Sequence, residues 1–398
     1  MGWGRTPASV DIALSTKRLD ALVAHEHADL TATIQAGARL DDVNRALARQ
    51  GQWLPIESAF HEATIGGAIA TNDSGPLRHR YGTPRDLLIG IRLALTDGRL
   101  IKAGGNVVKN VAGYDVGKLM SGSHGSLAAI VSATFKLMPL PGASSTLVAT
   151  FERADALVTA LAAITSSQLE ASAIEIRTGP AGGPPKGGPY EYGGASEYVG
   201  ASEYVGVSEH VGASEYAGAS EYVGAGFSRP YLLLLKFEST PGALHAHVEK
   251  ARALAGGANC EVITSQSETD VWRDHLRAPW RSEGMILRFA WMPASLGAVL
   301  ALVDDLRGSV TDIELTGRAA IGSGLLRVDA DVRLQRNVVE RLRSRTDVFR
   351  HVVVLRADAA LKQQLDVWGP LGDAGSLGAS VKHALDPHGI LNAGRGPV

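Results

Sequence analysis

A chain of 398 residues with a 45% hydrophobic composition can bury two separate cores, so two domains are expected. Its 39 basic and 41 acidic residues leave a formal charge of −2, which supplies no field for gathering nucleic acid or an anionic membrane surface. The one cysteine, Cys260, excludes a disulfide framework, a cysteine-ligated iron–sulfur cluster and a structural cysteine zinc site, and it suits a reducing cytosol.

The amino-terminal residues Met1-Gly-Trp-Gly-Arg-Thr-Pro7 lack the basic and apolar regions of a signal peptide, so export is not expected. Residues 11–14 and 30–35 read as strands separated by 19–26. Residues 40–49 form a helix with Leu40, Val43 and Leu47 on one face, stopped by Gly51. His25 and His27 have no third ligand nearby and read as surface histidines. From Thr64 small residues crowd into what reads as short strands and tight turns. Residues 87–95 and 100–103 then make a hairpin about the turn Thr96-Asp-Gly-Arg99. Residues 125–137 read as a helix turn or a strand, and Pro139 and Pro141 close the first domain.

Beyond residue 146 strands alternate with amphipathic helices. Strands are expected at 146–151, 172–177, 231–238, 260–264, 285–291, 325–332 and 351–355; helices at 155–167, 244–255, 270–277, 295–307 and 337–345. This pattern predicts an α+β domain with helices on one face of a mostly antiparallel sheet. The most apolar run, Tyr231-Leu-Leu-Leu-Leu-Lys236, is too short for a membrane span. A helix at 376–384 and a tight turn at 385–394 end the chain. Between two strands of this domain, the unit Gly194-Ala-Ser-Glu-Tyr-Val199 recurs five times through Val223 after the Gly- and Pro-rich run 179–189. Such a period could build a parallel β-helix, but five units without regular aliphatic positions favour a mobile acidic loop, to which no function is assigned.

No G-x-G-x-x-G opens a helix, and no P-loop, G-x-S-x-G elbow or H-E-x-x-H is present, so Rossmann, P-loop and common hydrolase sites are not indicated. The positive signal is an ordered series of pieces: Thr64-Ile-Gly-Gly-Ala-Ile-Ala-Thr-Asn72, continuing to Gly75; Tyr81-Gly-Thr-Pro-Arg-Asp86; Asp97-Gly98; Val108-Lys-Asn-Val-Ala-Gly-Tyr-Asp115; Gly122-Ser-His-Gly-Ser-Leu127; and Asp386-Pro-His-Gly-Ile-Leu-Asn-Ala-Gly394. Glycines let backbone approach a ligand closely, so successive loops of this kind can wrap an extended polar molecule. In this order the pieces resemble the FAD-binding domain of the vanillyl-alcohol oxidase and p-cresol methylhydroxylase (PCMH) superfamily. Within it, Lys109-Asn-Val-Ala-Gly-Tyr-Asp115, the preceding Gly104-Gly105 and Ser132-Ala-Thr-Phe-Lys-Leu137 are similar to the glycolate oxidase FAD-binding subunit, the E subunit of a three-part bacterial dehydrogenase. The likeness extends over nearly the whole chain apart from the repeats.

The resemblance implies an α+β fold: a PCMH-type FAD-binding domain over residues 1–141, a cap domain over 142–360 carrying the low-complexity insert 179–226, and a segment 361–398 returning to the first domain. It implies non-covalent FAD, with Thr64, Gly66, Gly67, Thr71, Asn72 and Gly75 along the pyrophosphate, ribityl chain and flavin edge. Gly122, Gly125 and the backbone at Ile130 would face the adenosine half, and Asn392 would reach the flavin. Ile65, Tyr81 and Ser123 complete the expected cofactor set. Three departures from the family stand out. Trp3-Gly4 stands where the family's first phosphate loop should just have ended, so the first βαβ unit is expected to be missing, through a late start codon or because the protein is a remnant. Ala128 replaces a frequent glycine, and His124 sits inside the adenosine turn, where covalent attachment is not expected because the flavin ring lies far off in this fold. The Gly-His-x-x-Asp-Gly-Asn-x-His phrase of metal-dependent relatives is absent, so no metal is expected and no substrate base is identified.

Oxidation of a 2-hydroxy acid requires a base for the hydroxyl proton and a cation for the carboxylate. Arg288 and Arg327, both in expected strands, are the candidate cations; His275 and His351 are weaker candidates. The expected function is that of the FAD-binding subunit of a cytoplasmic glycolate dehydrogenase, at most peripheral at the inner membrane through its partners. Those partners are a paralogous flavin subunit and an iron–sulfur subunit, because Cys260 alone cannot relay electrons. Two alternatives are a self-sufficient FAD-dependent 2-hydroxyacid oxidoreductase and a flavin-free structural subunit.

Overall fold

The computed structural model describes residues 3–7, 9–106, 114–178, 230–256 and 258–396; the phrase at 107–113 and the repeats lie outside them. Strands run β1 Leu22–Glu26, β2 Thr31–Gln35, β3 Gln52–Trp53, β4 Leu88–Ala94, β5 Leu100–Gly104, β6 Ala129–Lys136, β7 Met138–Pro139, β8 Ala143–Phe151, β9 Ala173–Thr178, β10 Tyr231–Ser239, β11 Asn259–Ile263, β12 Met285–Trp291, β13 Asp312–Arg318, β14 Ser323–Asp329 and β15 Phe349–Arg356. Helices run α1 Leu40–Ala48, α2 Ile65–Thr71, α3 Arg78–Tyr81, α4 Pro84–Leu87, α5 Val116–Met120, α6 Ala154–Thr165, α7 Pro241–Leu254, α8 Ser265–Arg277, α9 Leu296–Leu306, α10 Val332–Ser344, α11 Ala359–Gln364 and α12 Asp373–Leu385.

The first sheet is antiparallel in the order β1-β2-β6-β4-β5, and its core gathers Ile34, Leu47, Ile65, Ile69, Leu93 and Phe135 between the strands, α1 and α2. The stretch read as short strands and turns is partly helical. Thr64 caps α2, its Oγ1 accepting from the Gly67 N–H at 3.2 Å, and Ala68 and Ile69 give the helix a buried face. Residues 125–137 resolve as strand β6. Residues 11–14, expected as a strand, pair with nothing among the described residues, so Val10, Ile12 and Leu14 stay exposed at 67%, 86% and 76%. Alternation alone does not make a strand without a neighbour to hydrogen-bond.

The second sheet has eight antiparallel strands in the order β11-β8-β10-β9-β13-β14-β12-β15. Its two faces differ in kind. On β10, Tyr231, Leu233, Leu235 and Phe237 join the large core under α6, α7, α9 and α10, while Lys236 and Glu238 alternate to the opposite face. That opposite face also carries Glu175, Arg177, Arg288, Glu314, Arg318 and Arg327, and α8 packs on part of it through Trp272. The expectation of helices on one face therefore holds for four of them and fails for α8. Strand β13 was not expected, although Ile313 and Leu315 alternate there with Asp312, Glu314 and Thr316; Glu314 is buried in it against Arg177. Helix α10 begins earlier than expected because the Asp331 side chain accepts from the Leu334 N–H at 2.8 Å.

The chain end folds back on the first sheet. Lys382 Nζ donates to the carbonyls of Ser126 at 2.6 Å and Leu391 at 2.9 Å, and to Asp386 Oδ2 at 2.5 Å. Buried Asp386 also accepts from the Ile390 and Leu391 amides at 3.1 and 2.8 Å. Asp386→Ala is expected to cost roughly 3 kcal/mol by leaving the Lys382 charge without its counter-ion and two amides unpartnered. Thermal unfolding and the rate of proteolytic cutting within the last dozen residues measure the effect; unchanged values would show that the turn is held by other contacts.

Candidate functional site

The turn Gly122–Leu127 is registered on α2 by two backbone bonds, Gly122 N to Ile69 O at 3.0 Å and His124 N to Ala70 O at 2.7 Å. Gly122, His124 and Gly125 all take positive φ, and Asn392 Nδ2 donates to the His124 carbonyl at 2.7 Å. A Cβ on Gly125 would come within 2.8 Å of that same Nδ2, so only glycine lets the tail and turn meet. The structure thus brings Asn392 together with Gly122, Ser123 and Gly125. Next to them an apolar cleft of about 240 Å³ runs between the turn and α12, lined by Leu119, Gly122, Ser123, Leu127, Leu377 and Val381. Ser123 Oγ, buried at its edge, has no hydrogen-bond partner.

The other expected cofactor residues are placed less uniformly. The amides of Ile65 and Gly66 already donate to Ala38 O and Ala36 O, at 2.9 and 2.8 Å, and a side chain on Gly66 would collide with Ala36. At Gly67 the only atom a Cβ would meet is Thr64 Oγ1, and the residue is exposed. The N–H groups of Ile65, Gly66 and Gly67 are thus all occupied within the protein, and of the two glycines only Gly67 lies open to solvent. Thr71 donates back to Gly67 O at 2.8 Å, and left-handed Asn72 accepts from the Arg85 amide at 3.3 Å. Gly75 packs on Glu57, and Ile130 is buried in β6. Tyr81 Oη donates to Glu238 Oε2 at 2.8 Å across to the second sheet.

Where the charged sheet face meets the segment 57–81 lies a crevice that sequence reasoning did not foresee. Glu57, Asp73, Arg288, Arg318 and His124 all keep partial solvent exposure, yet burial dominates the ionisation of four of them. Side chains that water reaches while protein surrounds them sit at the bottom of a cleft. Burial pushes the Glu57 carboxyl up to about 7, against the opposing field of Lys236 and a hydrogen bond from the Leu77 amide at 2.7 Å. Burial likewise raises Asp73, opposed first by Arg318, then by Ser58 and Arg288. The His124 imidazole is pushed down to about 4 by burial and by the Arg288 and Arg395 charges, which leaves it neutral at pH 7 beside the Trp368 ring, 4.8 Å away.

The basic residues of the face divide sharply. Arg327 makes two bonds to Asp312, one at 3.0 Å, with Glu314 at 3.9 Å, so this candidate cation is committed within the sheet. Arg177 is held by Asp274 and Glu314, each at 2.7 Å, and Lys236 lies 3.5 Å from Glu238. Arg318 donates to the carbonyls of Ser74 and Gly75, tying the loop after α2 to β13. Arg288 makes no ion pair or hydrogen bond among the described residues, although Asp73 acts on it. His275 is paired with Glu175 at 2.9 Å, and His351 stands on exposed β15 backbone with positive φ; neither faces the crevice as a free group.

Residues 2–119 match the family model described as an FAD binding domain. This part of the chain is an FAD-binding domain. The cleft beside Gly122, the unpartnered Ser123 hydroxyl and the open backbone at Gly67 fit an extended ligand with a flat ring, as FAD requires of the domain. Among curated proteins, the chain is 34% identical over 173 residues to glycolate oxidase subunit GlcD of Bacillus subtilis, spanning 43% of this chain and 37% of that one. It is 38% identical over 128 residues to subunit GlcE of Escherichia coli, spanning 32% of this chain and 37% of that one. The matched stretch thus covers little more than a third of either glycolate oxidase subunit. With D-2-hydroxyglutarate dehydrogenase of Xanthomonas citri it shares 27% identity over 98% of this chain and 81% of that protein. Solved structures of alkyldihydroxyacetonephosphate synthase superpose with a TM-score of 0.62 at 16% identity, covering 95% of this chain and 66% of theirs, which bears on the fold alone. The FAD domain of PCMH type and the mixed α/β architecture agree with the expected fold class, and FAD is the cofactor of the matched domain.

Two outcomes follow from this geometry. Gly125→Ala is expected to weaken FAD binding about tenfold, by forcing a side chain onto Asn392 at a left-handed position; quenching of flavin fluorescence on titration measures it. Because Glu57 has a folded value near 7 against an ordinary 4.5, the native state holds its proton more tightly, and stability is fully present below about 4.5 and falls as pH rises through 7. Glu57→Gln should flatten the decline of thermal stability between about pH 5 and 8, a difference of at most roughly 3 kcal/mol; parallel declines in both proteins would contradict it.

Proposed function

We propose that the chain is the FAD-binding subunit of a glycolate dehydrogenase complex, acting on a small 2-hydroxy acid and passing electrons to an iron–sulfur partner. The observation that carries the reading is Arg288: an uncommitted cation in a crevice beside the FAD domain's glycine turn, where a substrate carboxylate needs one. Bound FAD supplies the two-electron acceptor for the carbon–hydrogen pair of such an acid. The chain's own residues do the rest. Thr64, Thr71, Asn72, Gly122, Ser123 and Gly125 would hold the cofactor; Arg288 would orient the acid by its carboxylate; Trp368 and the apolar rim would exclude water. The likeness to two glycolate oxidase subunits supports a multi-chain assembly, and with a single cysteine these 398 residues do not themselves hold the ligands of a cysteine-bound iron–sulfur relay.

A second reading is a self-sufficient 2-hydroxyacid dehydrogenase, favoured by the alignment to D-2-hydroxyglutarate dehydrogenase along 98% of this chain. Anaerobic mixing separates the two. If the chain alone carries flavin that glycolate or lactate bleaches at a steady-turnover rate, the self-sufficient reading holds; if bleaching requires a co-purifying flavin chain and a cysteine-rich chain, the complex does. In whichever form is active, Arg288→Lys is expected to raise KM at least tenfold with a smaller change in kcat, since a lysine keeps the charge but loses the two-pronged contact. A chain that binds no FAD in either setting would end both readings.

A further inference from the structure

Strand β15 is irregular where it runs beside Arg288. Arg288 on β12 pairs with Val353 and Ala290 with Arg350, so two residues of β15, His351 and Val352, stand against Phe289 alone. His351 takes a left-handed φ of 51°, a backbone state that costs energy in any residue with a Cβ. A bulge of this kind bends its strand, twists the ladder and re-aims nearby side chains. Arg343, near the end of α10, pins its outer edge: Nε and Nη2 donate to the Val352 carbonyl at 3.2 and 3.0 Å. Nη2 also reaches the Val367 carbonyl at 3.5 Å, the same oxygen that accepts from the Val354 amide at 2.8 Å. The next residue, Trp368, carries the ring that lies 4.8 Å from His124 in the glycine turn. Gly369, with φ of 77°, closes the seat, because a Cβ there would come within 3.1 Å of Arg343 Nη2 and 3.2 Å of the Val352 carbonyl. One guanidinium therefore spans the strand that flanks Arg288 and the segment that flanks the cofactor turn.

We propose that Arg343 is a positioning residue: by holding Val352 and Val367 together it fixes the bulged strand against the Trp368 segment, and so sets how Arg288 is presented to a carboxylate beside the FAD domain. The inference rests on the function proposed above and adds to it a residue that touches neither cofactor nor substrate. The chemistry of the side chain suits the task. A planar fork meets one carbonyl with two N–H groups and still reaches a second, whereas an ammonium on a flexible stem fixes neither direction. The bulge is the other half of the device, since without it the register beside Arg288 would be regular and the ladder less twisted.

The test measures KM and kcat for glycolate or lactate, whichever the active form of the protein oxidises. Arg343→Lys is expected to raise KM at least about fivefold with kcat within about twofold, the signature of a carboxylate anchor out of line; a merely structural role would lower the active fraction and leave KM alone. In an Arg288→Gln background the same change should move KM by less than about twofold, because Arg343 acts through Arg288. His351→Gly, which takes the left-handed backbone freely, should stay within about twofold of the wild type, and His351→Val, which does not, should reproduce Arg343→Lys. Should Arg343→Lys fail to fold, the two His351 variants decide. The proposal is overturned if KM is unchanged in Arg343→Lys, if the rise is as large without Arg288, or if the two His351 variants behave alike. Oxalate, which has no carbon–hydrogen bond to give up, separates this outcome from that of the proposed function when it is titrated by calorimetry. If no 2-hydroxy acid reduces the flavin, yet Arg343→Lys weakens oxalate only while Arg288 is present, the positioning role stands and the proposed function falls. If the flavin is reduced and neither KM nor oxalate affinity responds to Arg343→Lys, the reverse holds. Failure of the wild-type protein to bind oxalate removes Arg288 as an anchor and overturns the positioning role.

Discussion

The grip of Arg318 on the carbonyls of Ser74 and Gly75 is the contact through which the crevice takes its shape. It joins β13 of the second sheet to the loop that ends α2, and α2 in turn registers the turn 122–125 through the Ile69 and Ala70 carbonyls. That turn receives Asn392 from the returning tail. One guanidinium thus sets, by steps of one or two hydrogen bonds, the relative position of the glycine-rich FAD domain, the charged sheet face and the chain end. The Tyr81 to Glu238 bond is a second tie across the same boundary. A lysine at 318 could not span two successive carbonyls with a planar fork, so the geometry selects arginine for its shape as well as its charge.

Why Arg288 is free and Arg327 is not follows from register. Arg327 on β14 stands directly across from Glu314 on β13, and cross-strand neighbours on one face interact. Arg288 on β12 stands across from Leu325 on one side and Val353 on the other, so the sheet offers it no carboxylate. The two arginines look alike in sequence, each flanked by apolar residues in a strand, and the choice between them is made by which strands pair. The same face would be costly to bury if its charges were unpaired. Arg177, Lys236, Arg327, Glu175 and Glu314 are each paired, and the exception lies where the FAD domain opens the crevice.

The glycine-rich pieces were legible in the sequence because glycine at Gly122 and Gly125 reports a backbone need that no other residue meets, and strand β10 was legible because Tyr231-Leu-Leu-Leu-Leu235 is a short apolar run that suits a strand covered on both faces. What could not be read is of two kinds. Strand β1 lacks clean alternation because His25 and Glu26 lie in an edge strand; strand β13 alternates from Asp312 to Thr316, but the run is short and meets Gly317. The crevice itself is built from residues far apart in the chain, Asp73 on one side and Arg288 and Arg318 on the other. Asp73 lies within a glycine-rich motif but carries no mark of its own, and Arg318 is one strand arginine among several. Long-range pairing, which a single sequence does not display, made both of them functional candidates.

The charge balance of the crevice couples anion binding to proton affinity. With no acid bound, the Arg318 and Arg288 charges offset part of the desolvation that raises Asp73. A carboxylate arriving at Arg288 neutralises that contribution, and the carboxyl of Asp73 then holds a proton more readily than before. His124, neutral and bounded by Trp368, adds no competing charge. An anion held at Arg288 would in this way raise the proton affinity of Asp73 through charge alone, with neither side chain needing to move.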